Sequence, residues 1–293
     1  MQDIQDRLYL QSSKGTNFTH LMEIITSENN ILLAYRNIKK NSGSSTKGVD
    51  GKNISHLANL EPETLIKLVQ NKLKNYFPNK VRRVEIPKDN GKTRPLGIPT
   101  IMDRLIQQCI LQVLEPICEA KFYKHSYGFR PLRSTKHAIS RAYFLAQQNN
   151  LHHVVDVDIK GFFDNINHGK LLKQLWTLGI RDKSLIAVIS KMLKAEIENI
   201  GIPDKGTPQG GILSPLLANV VLNEFDWWIS SQWEKIPTKV NYNPTVRKDG
   251  SLKYTNTYRA LKTTKLKEVY IIRYADDFKL FCRNHQDAVK LFE

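Results

Sequence analysis

No stretch of this chain approaches the roughly 18 consecutive apolar residues that a membrane-spanning helix needs, and Met1 to Gln11 carry no signal-peptide pattern. No internal repeat is visible either. These absences set aside a membrane protein and point to a soluble chain in a reducing compartment. Cysteine is scarce: Cys109, Cys118 and Cys282 sit in apolar stretches without metal-ligand spacing, which reads as small core residues and gives no zinc site. Acidic residues are outnumbered, 28 Asp plus Glu against 44 Lys plus Arg, and the net charge of +16 calls for an acidic polymer, nucleic acid before membrane. With 293 residues, 41% of them hydrophobic, there is enough apolar material for two domains or one large one.

Against that scarcity of acid, Asp276 and Asp277 stand side by side between the apolar runs Val269 to Ile272 and Phe278 to Cys282. The flanks predict a hairpin with both carboxylates at its tip. Neighbouring like charges repel, and a bound divalent cation removes the cost. With a third carboxylate such a pair describes a two-metal phosphoryl-transfer site. The β-branched run Val154 to Ile159 offers Asp156 and Asp158, which emerge on one face of a strand; one of them suffices.

Helical periods follow Ser27, with Ile31, Leu32, Tyr35 and Ile38 on one face, and Pro62, with Leu65, Ile66, Val69 and Leu73. The Asn41 to Gly51 loop between them reads as plain surface or as a basic flap over phosphates. Residues 81–99 interleave Arg82, Arg83, Lys88, Lys92 and Arg94 with apolar positions around Asp89-Asn90-Gly91, a basic hairpin. It could clasp a triphosphate or a nucleic-acid backbone, or be a solvated edge hairpin. Asp103 to Phe122 predicts a buried helix bent or interrupted near Pro116. Ser134 starts a helix through Gln148, and Lys170 to Leu178 and Lys183 to Lys194 read as two more. Tyr127, Phe129, Arg130 and Arg133 combine groups able to stack on bases and hold phosphates. Asp164 reads as a helix cap, while His152, His153 and His168 lack a second ligand. Gly206 to Gly211 is a glycine loop before Ser214-Pro215, a helix start. Residues 230–267 are polar and lack a period; Lys262, Lys265 and Lys267 there suit RNA contact or a solvated face.

Asp on a strand, Gln in a glycine loop and an Asp pair on a hairpin, in that order, resemble reverse transcriptases. The flanks sharpen the match: Val154 to Asp164, the run from Gly206 to Asn219, Arg273 to Phe278, Tyr127 to Pro131, and Arg94-Pro95-Leu96-Gly97-Ile98-Pro99. Together they look like the reverse transcriptases, or maturases, encoded by bacterial and organellar group II introns, matching from about Ile31 onward.

The resemblance implies an α+β right-hand polymerase fold, with an N-terminal extension and helical fingers over 1–150 and mainly palm over 151–293, carrying an antiparallel sheet and a polar insertion at about 230–267. It implies an RNA-directed DNA polymerase using two Mg²⁺ ions, with Mn²⁺ as a substitute. Asp158, Asp276 and Asp277 would be catalytic and hold metal together with the Ile159 carbonyl. Lys88, Arg94, Phe163 and Gln209 would meet the nucleotide, Phe163 as the steric gate against a ribose 2′-hydroxyl. Arg82, Arg83, Tyr127, Arg130 and Arg133 would meet nucleic acid. The implied partners are group II intron RNA, an RNA template, a DNA primer and deoxynucleoside triphosphates, in a bacterial cytoplasm; a homodimer is left open. Tyr274 is a strand residue or touches the primer end. The chain stops shortly after the hairpin, so a thumb is expected to be missing and activity weakened. Two other readings stand beside this one: an RNA-binding splicing cofactor with a vestigial polymerase site, and an RNA-templated RNA polymerase, against which the Phe163 gate speaks.

Overall fold

The computed structural model describes residues 1–293 apart from Lys88, Asp89, Asn90, Lys92, Asp249, Ser251 and the side chain of Arg94. In chain order the helices and strands are α1 (Gln2–Ser13), α2 (Leu21–Ile25), α3 (Glu28–Lys40), α4 (Ile54–Ala58), α5 (Pro62–Lys74), β1 (Arg82–Pro87), β2 (Thr93–Ile98) and α6 (Ile101–Glu119). There follow α7 (Thr135–Tyr143), β3 (His153–Asp158), α8 (His168–Thr177), α9 (Lys183–Leu193) and α10 (Ser214–Gln232). The chain then forms β4 (Thr245–Val246), β5 (Leu252–Lys253), α11 (Thr255–Lys262), β6 (Val269–Tyr274), β7 (Asp277–Cys282) and α12 (His285–Phe292). All strand pairs are antiparallel. The expected α+β mixture is present, and among the described residues no helix is long and apolar enough to cross a membrane.

Two compact units emerge, each assembled from two stretches of chain: residues 1–122 with 160–221, and residues 123–159 with 222–293. The first unit is organised on α6. Leu105, Ile106, Cys109, Ile110, Val113, Leu114 and Ile117 are wholly buried along it, and α1, α2, α3 and α5 pack against it. The helix is not interrupted at Pro116 but continues to Glu119. Proline removes the N–H that would bond the Gln112 carbonyl four residues back, and Gln5 of α1 supplies a replacement, its Nε2 donating to Gln112 O at 2.9 Å. The Asn41 to Gly51 loop is tied to α6. It contains a short 3₁₀ turn, Ser42–Ser45, and Arg104 of α6 donates to Gly43 O at 2.8 Å and Thr46 O at 2.6 Å.

In the second unit β3, β7 and β6 form one sheet in that order. Along β3 and β7 apolar residues alternate with polar ones, and Val155, Ile271, Phe278 and Leu280 enter a core with Trp233 and Tyr270. Helix α7 lies along β6 and α12 against β3 and β7. The helix predicted from Ser134 to Gln148 is α7 continued by a π-helical turn, Phe144–Gln148. Residues 230–267 are less featureless than their sequence: α10 runs on to Gln232, β4 and β5 pair as a ribbon, and α11 buries Leu261. Short elements of this kind are set by tertiary contacts and leave little period to read.

Asp103 anchors the start of α6. Its carboxylate accepts from Thr100 Oγ1 at 2.7 Å, Tyr76 OH at 2.9 Å, and Asn79 N and Nδ2 at 3.1 and 2.9 Å. Asp103→Ala takes the acceptor from two buried donors, Tyr76 OH and Thr100 Oγ1, and is expected to cost about 3 kcal/mol. The measurement is urea unfolding of the two proteins side by side; equal midpoints would contradict the assignment.

Candidate active site

The β6–β7 hairpin closes on Tyr274 paired with Asp277, which leaves Ala275-Asp276 as a two-residue turn. Ala275 has φ +59°, the positive value that the first central residue of a type II′ turn requires and that a side chain resists. On the other side of β7, Asp158 stands directly opposite Asp277, and Asp156 opposite Lys279. Cross-strand partners share a face of the sheet. Asp158, Asp277 and Tyr274 therefore form one row at the end of the sheet, followed by Asp156, Lys279 and Ile272. Asp158 and Asp277 are exposed and Asp276 is half-buried. Ile159, whose carbonyl was the fourth expected donor, directly follows β3.

Opposed like charges destabilise a strand pair, and one cation is at hand. Lys279 Nζ lies 2.6 Å from Asp156 Oδ1 and 3.3 Å from Asp277 Oδ1. The Asp156 bond lifts the Lys279 ammonium above its usual range. Among the described residues no three His, Cys, Asp or Glu side chains converge into a ready cage. What the sheet provides is a row of carboxylate oxygens, the donor type that hard divalent cations prefer.

Arg273 underlies the turn. It is 1% exposed, and its Nε and Nη2 donate to Asp226 Oδ1 and Oδ2 of α10 at 2.8 and 2.6 Å. Its Nη1 donates to the Ala275 carbonyl at 2.7 Å. Burial pushes the Asp226 carboxyl up, and the Arg273 bonds offset part of that rise. Neither residue was singled out for a role by sequence reasoning. The available signal was a cation at a strand position whose neighbours in the alternation, Ile271 and Val269, are core, which obliges a buried partner.

The Tyr127 to Arg133 group divides differently from expectation. Arg130 is buried and its Nη1 is spent on the carbonyls of Tyr123 and Ser126, at 2.7 and 2.9 Å, so it holds its own loop together. Tyr127 is also buried, with Arg133 5.7 Å from its ring centre. Phe129 is the exposed member. Tyr274, 37% exposed at the end of β6, lines an apolar groove of about 230 Å³ with Ala138, Ile139 and Ala142 of α7.

In the first unit, the glycine loop and the hairpin meet through their backbones. Gly97 N–H donates to Gln209 O at 2.7 Å, and a Cβ on Gly210, φ +116°, would lie 2.6 Å from Gly97 O. Around this contact is a pocket of about 260 Å³ lined by Arg83, Gly97, Asp164, Lys205, Pro208 and Gln209. Gln209 and Arg83 are thus brought to one pocket, although Arg83 is paired with Glu85 at 2.8 Å. Arg82 is half-buried on β1. Phe163 is buried against Phe162, and its carbonyl accepts from Thr207 N–H at 2.8 Å. Asp164 does not cap α8: Asn167 does, accepting from Lys170 N at 2.8 Å, while Asp164 takes a long bond, 3.3 Å, from Gln209 Nε2. Of the expected nucleotide contacts, Lys88 and the side chain of Arg94 lie outside the described residues, as do Asp89 and Asn90 of the hairpin turn.

Asp158 thus faces Asp277 across β3 and β7, with Asp276 in the turn that joins β6 to β7. The chain belongs to the reverse transcriptase (RNA-dependent DNA polymerase) family, whose model matches residues 86–293. It is 34% identical over 284 residues to protein YkfC of Escherichia coli, covering 92% of this chain and 72% of that one. It is 41% identical over 218 residues to the group II intron-encoded protein LtrA of Lactococcus lactis, covering 72% of this chain and 35% of LtrA. A third relative, a 91 kDa protein in the cob intron of Schizosaccharomyces pombe, is 33% identical over 81% of this chain and 30% of its own length. Within the family the resemblance is to its group II intron-encoded branch, and the chain spans about a third of the length of those intron-encoded relatives.

The segment before the Tyr127 motif carries a pH signature. Burial, reinforced by Arg141, Lys124 and Arg133, pushes the His125 imidazole down to about 2. An unfolded histidine titrates near about 6.5, so below that pH the unfolded chain binds a proton that the folded one refuses. Stability should therefore fall as pH drops below about 6.5, with a contribution of up to ~1.4 kcal/mol per pH unit from this residue. Urea midpoints between pH 6.5 and 5 are expected to fall less steeply in His125→Gln than in the parent; parallel slopes would rule the histidine out.

Proposed function

We propose that this chain is the nucleotidyl-transfer region of a group II intron-encoded reverse transcriptase, extending a DNA primer on an RNA template. The observation that carries the reading is Asp158 facing Asp277 across β3 and β7, with Asp276 in the adjoining turn. Family membership supplies the reaction class. The primer 3′-hydroxyl attacks the α-phosphate of a deoxynucleoside triphosphate, its oxygen–phosphorus bond replaces the α–β bridging bond, and pyrophosphate leaves.

Asp158, Asp276, Asp277 and the Ile159 carbonyl are the groups that would hold divalent cations, two Mg²⁺ with Mn²⁺ able to substitute. When bound, such ions lower the pKa of the attacking hydroxyl and neutralise charge on the phosphates. The chain's own part is to present carboxylates on a rigid sheet end, so that little reorganisation remains for the reaction. Lys279 bridges the two carboxylates, closer to Asp156 at 2.6 Å than to Asp277 at 3.3 Å. Phe163 acts by volume against a 2′-hydroxyl, Gln209 lines the nucleotide pocket, and Lys88 and Arg94 hold the triphosphate. Arg83, Arg133 and the exposed Phe129 are offered to nucleic acid.

A second role, binding of group II intron RNA, is favoured by the net charge of +16 and by the intron-encoded relatives. Charge of this size gives salt-dependent affinity for phosphate backbones. Intron RNA binding should survive Asp158→Ala while polymerisation disappears.

Primer extension by this protein on an RNA template with Mg²⁺ is the direct test. Asp277→Ala should raise the barrier by about 4 kcal/mol, lowering the rate on the order of 10³-fold; an unchanged rate means the site is misassigned. Phe163→Ala should raise ribonucleotide incorporation relative to deoxynucleotide by about tenfold or more, and no change in that ratio would remove the gate.

A further inference from the structure

The Tyr127-Gly128-Phe129-Arg130-Pro131 motif reads in sequence as a nucleic-acid contact, yet its best-buried members face inward. Residues 125–127 run alongside β6: Tyr127 N–H donates to Arg273 O at 2.8 Å and Arg273 N–H donates to His125 O at 3.1 Å. Gly128 comes next, pressed against the catalytic turn. A Cβ built there would lie 2.2 Å from Ala275 N, 2.9 Å from Tyr274 C and 3.0 Å from Ala275 Cα. These are all backbone atoms, which cannot rotate aside as the end of a side chain could. Gly128 does not have a positive φ, so the requirement for glycine here is one of space.

The opposite restraint on the turn comes from Arg273. Its Nη1 grips the Ala275 carbonyl, which belongs to the peptide unit joining Ala275 to Asp276, while Asp226 fixes the guanidinium through two further bonds. Ala275 keeps a left-handed backbone that costs a non-glycine residue about 1 kcal/mol or more, and such strain persists where surroundings over-determine the conformation.

From this geometry we infer that Gly128 and the Arg273–Asp226 pair are positioning residues, a seat that sets the orientation of Asp276 and Asp277. The inference rests on the proposed metal-binding role of those carboxylates. It assigns the glycine of the motif to the geometry of the metal ligands, with nucleic acid left to its exposed neighbours. Residues supporting metal ligands from behind typically influence affinity or activity by about 10- to 100-fold.

The test is Mn²⁺ binding to this protein, followed by electron paramagnetic resonance without nucleotide or nucleic acid, together with primer-extension kinetics. Gly128→Ala should bind Mn²⁺ about tenfold or more weakly, with lower kcat, an unchanged KM for primer–template and partial rescue by excess Mn²⁺. Asp226→Asn, isosteric and with one acceptor left for Arg273, should show the same pattern and carries the test where Gly128→Ala fails to fold. A merely structural role would lower the melting temperature but leave Mn²⁺ affinity per folded molecule untouched, and that result overturns the seat. Loss of primer–template affinity with Mn²⁺ binding intact overturns it in favour of a nucleic-acid contact. The parent's Mn²⁺ signal must itself be lost in Asp276→Asn. If it is not, the metal reading of the carboxylates fails and the seat with it, an outcome distinct from failure of the two variants alone.

Discussion

Two aspartates held opposite each other on neighbouring strands are the constraint around which the second unit is arranged. Side-chain direction in a sheet follows register, so Asp158 and Asp277 share a face for as long as β3 and β7 keep their pairing. Their repulsion opposes that pairing, and the apolar residues on the other face, Val155, Phe278 and Leu280 among them, hold it in place. Lys279 supplies a local counter-charge. A site of this kind is stable because its cost is spread over a core that does not take part in the chemistry.

The turn between β6 and β7 extends the same logic to backbone. A buried Arg–Asp pair is an expensive way to add stability, since desolvation consumes much of the attraction. Arg273 and Asp226 make sense as a device for geometry: three directed bonds fix one guanidinium, and the guanidinium fixes one carbonyl. Gly128 closes the other side by close approach. In the first unit a comparable economy appears at the glycine loop, where Gly210 lets the backbone of the loop reach Gly97 and Gln209 is carried with it.

Much of this was legible in order along the chain. The helices α3, α5, α8 and α9 have amphipathic periods, the β1–β2 hairpin has its alternation, and Asp158, Gln209 and Asp276-Asp277 have flanks specific enough to indicate a family. The misreadings share a cause. Pro116 does not interrupt α6, and a side chain from α1 takes the carbonyl it frees; Asp164 yields the cap to Asn167 and meets Gln209; Arg130 turns inward onto carbonyls of its own loop. Each was decided by a partner distant in sequence or by the path of a loop, and neither leaves a period to read.

Sequence alone determined which residue types stand where the chemistry needs them, because local alternation and turn composition act over a few residues and are written in the chain itself. Tertiary structure alone decided which carboxylate faces which, that Asp226 answers Arg273 across 47 positions, and that a glycine in an aromatic, basic motif lies against the turn bearing the Asp pair. The physical reason is range. Register, burial and close backbone approach are properties of two segments at once, and no single segment carries them.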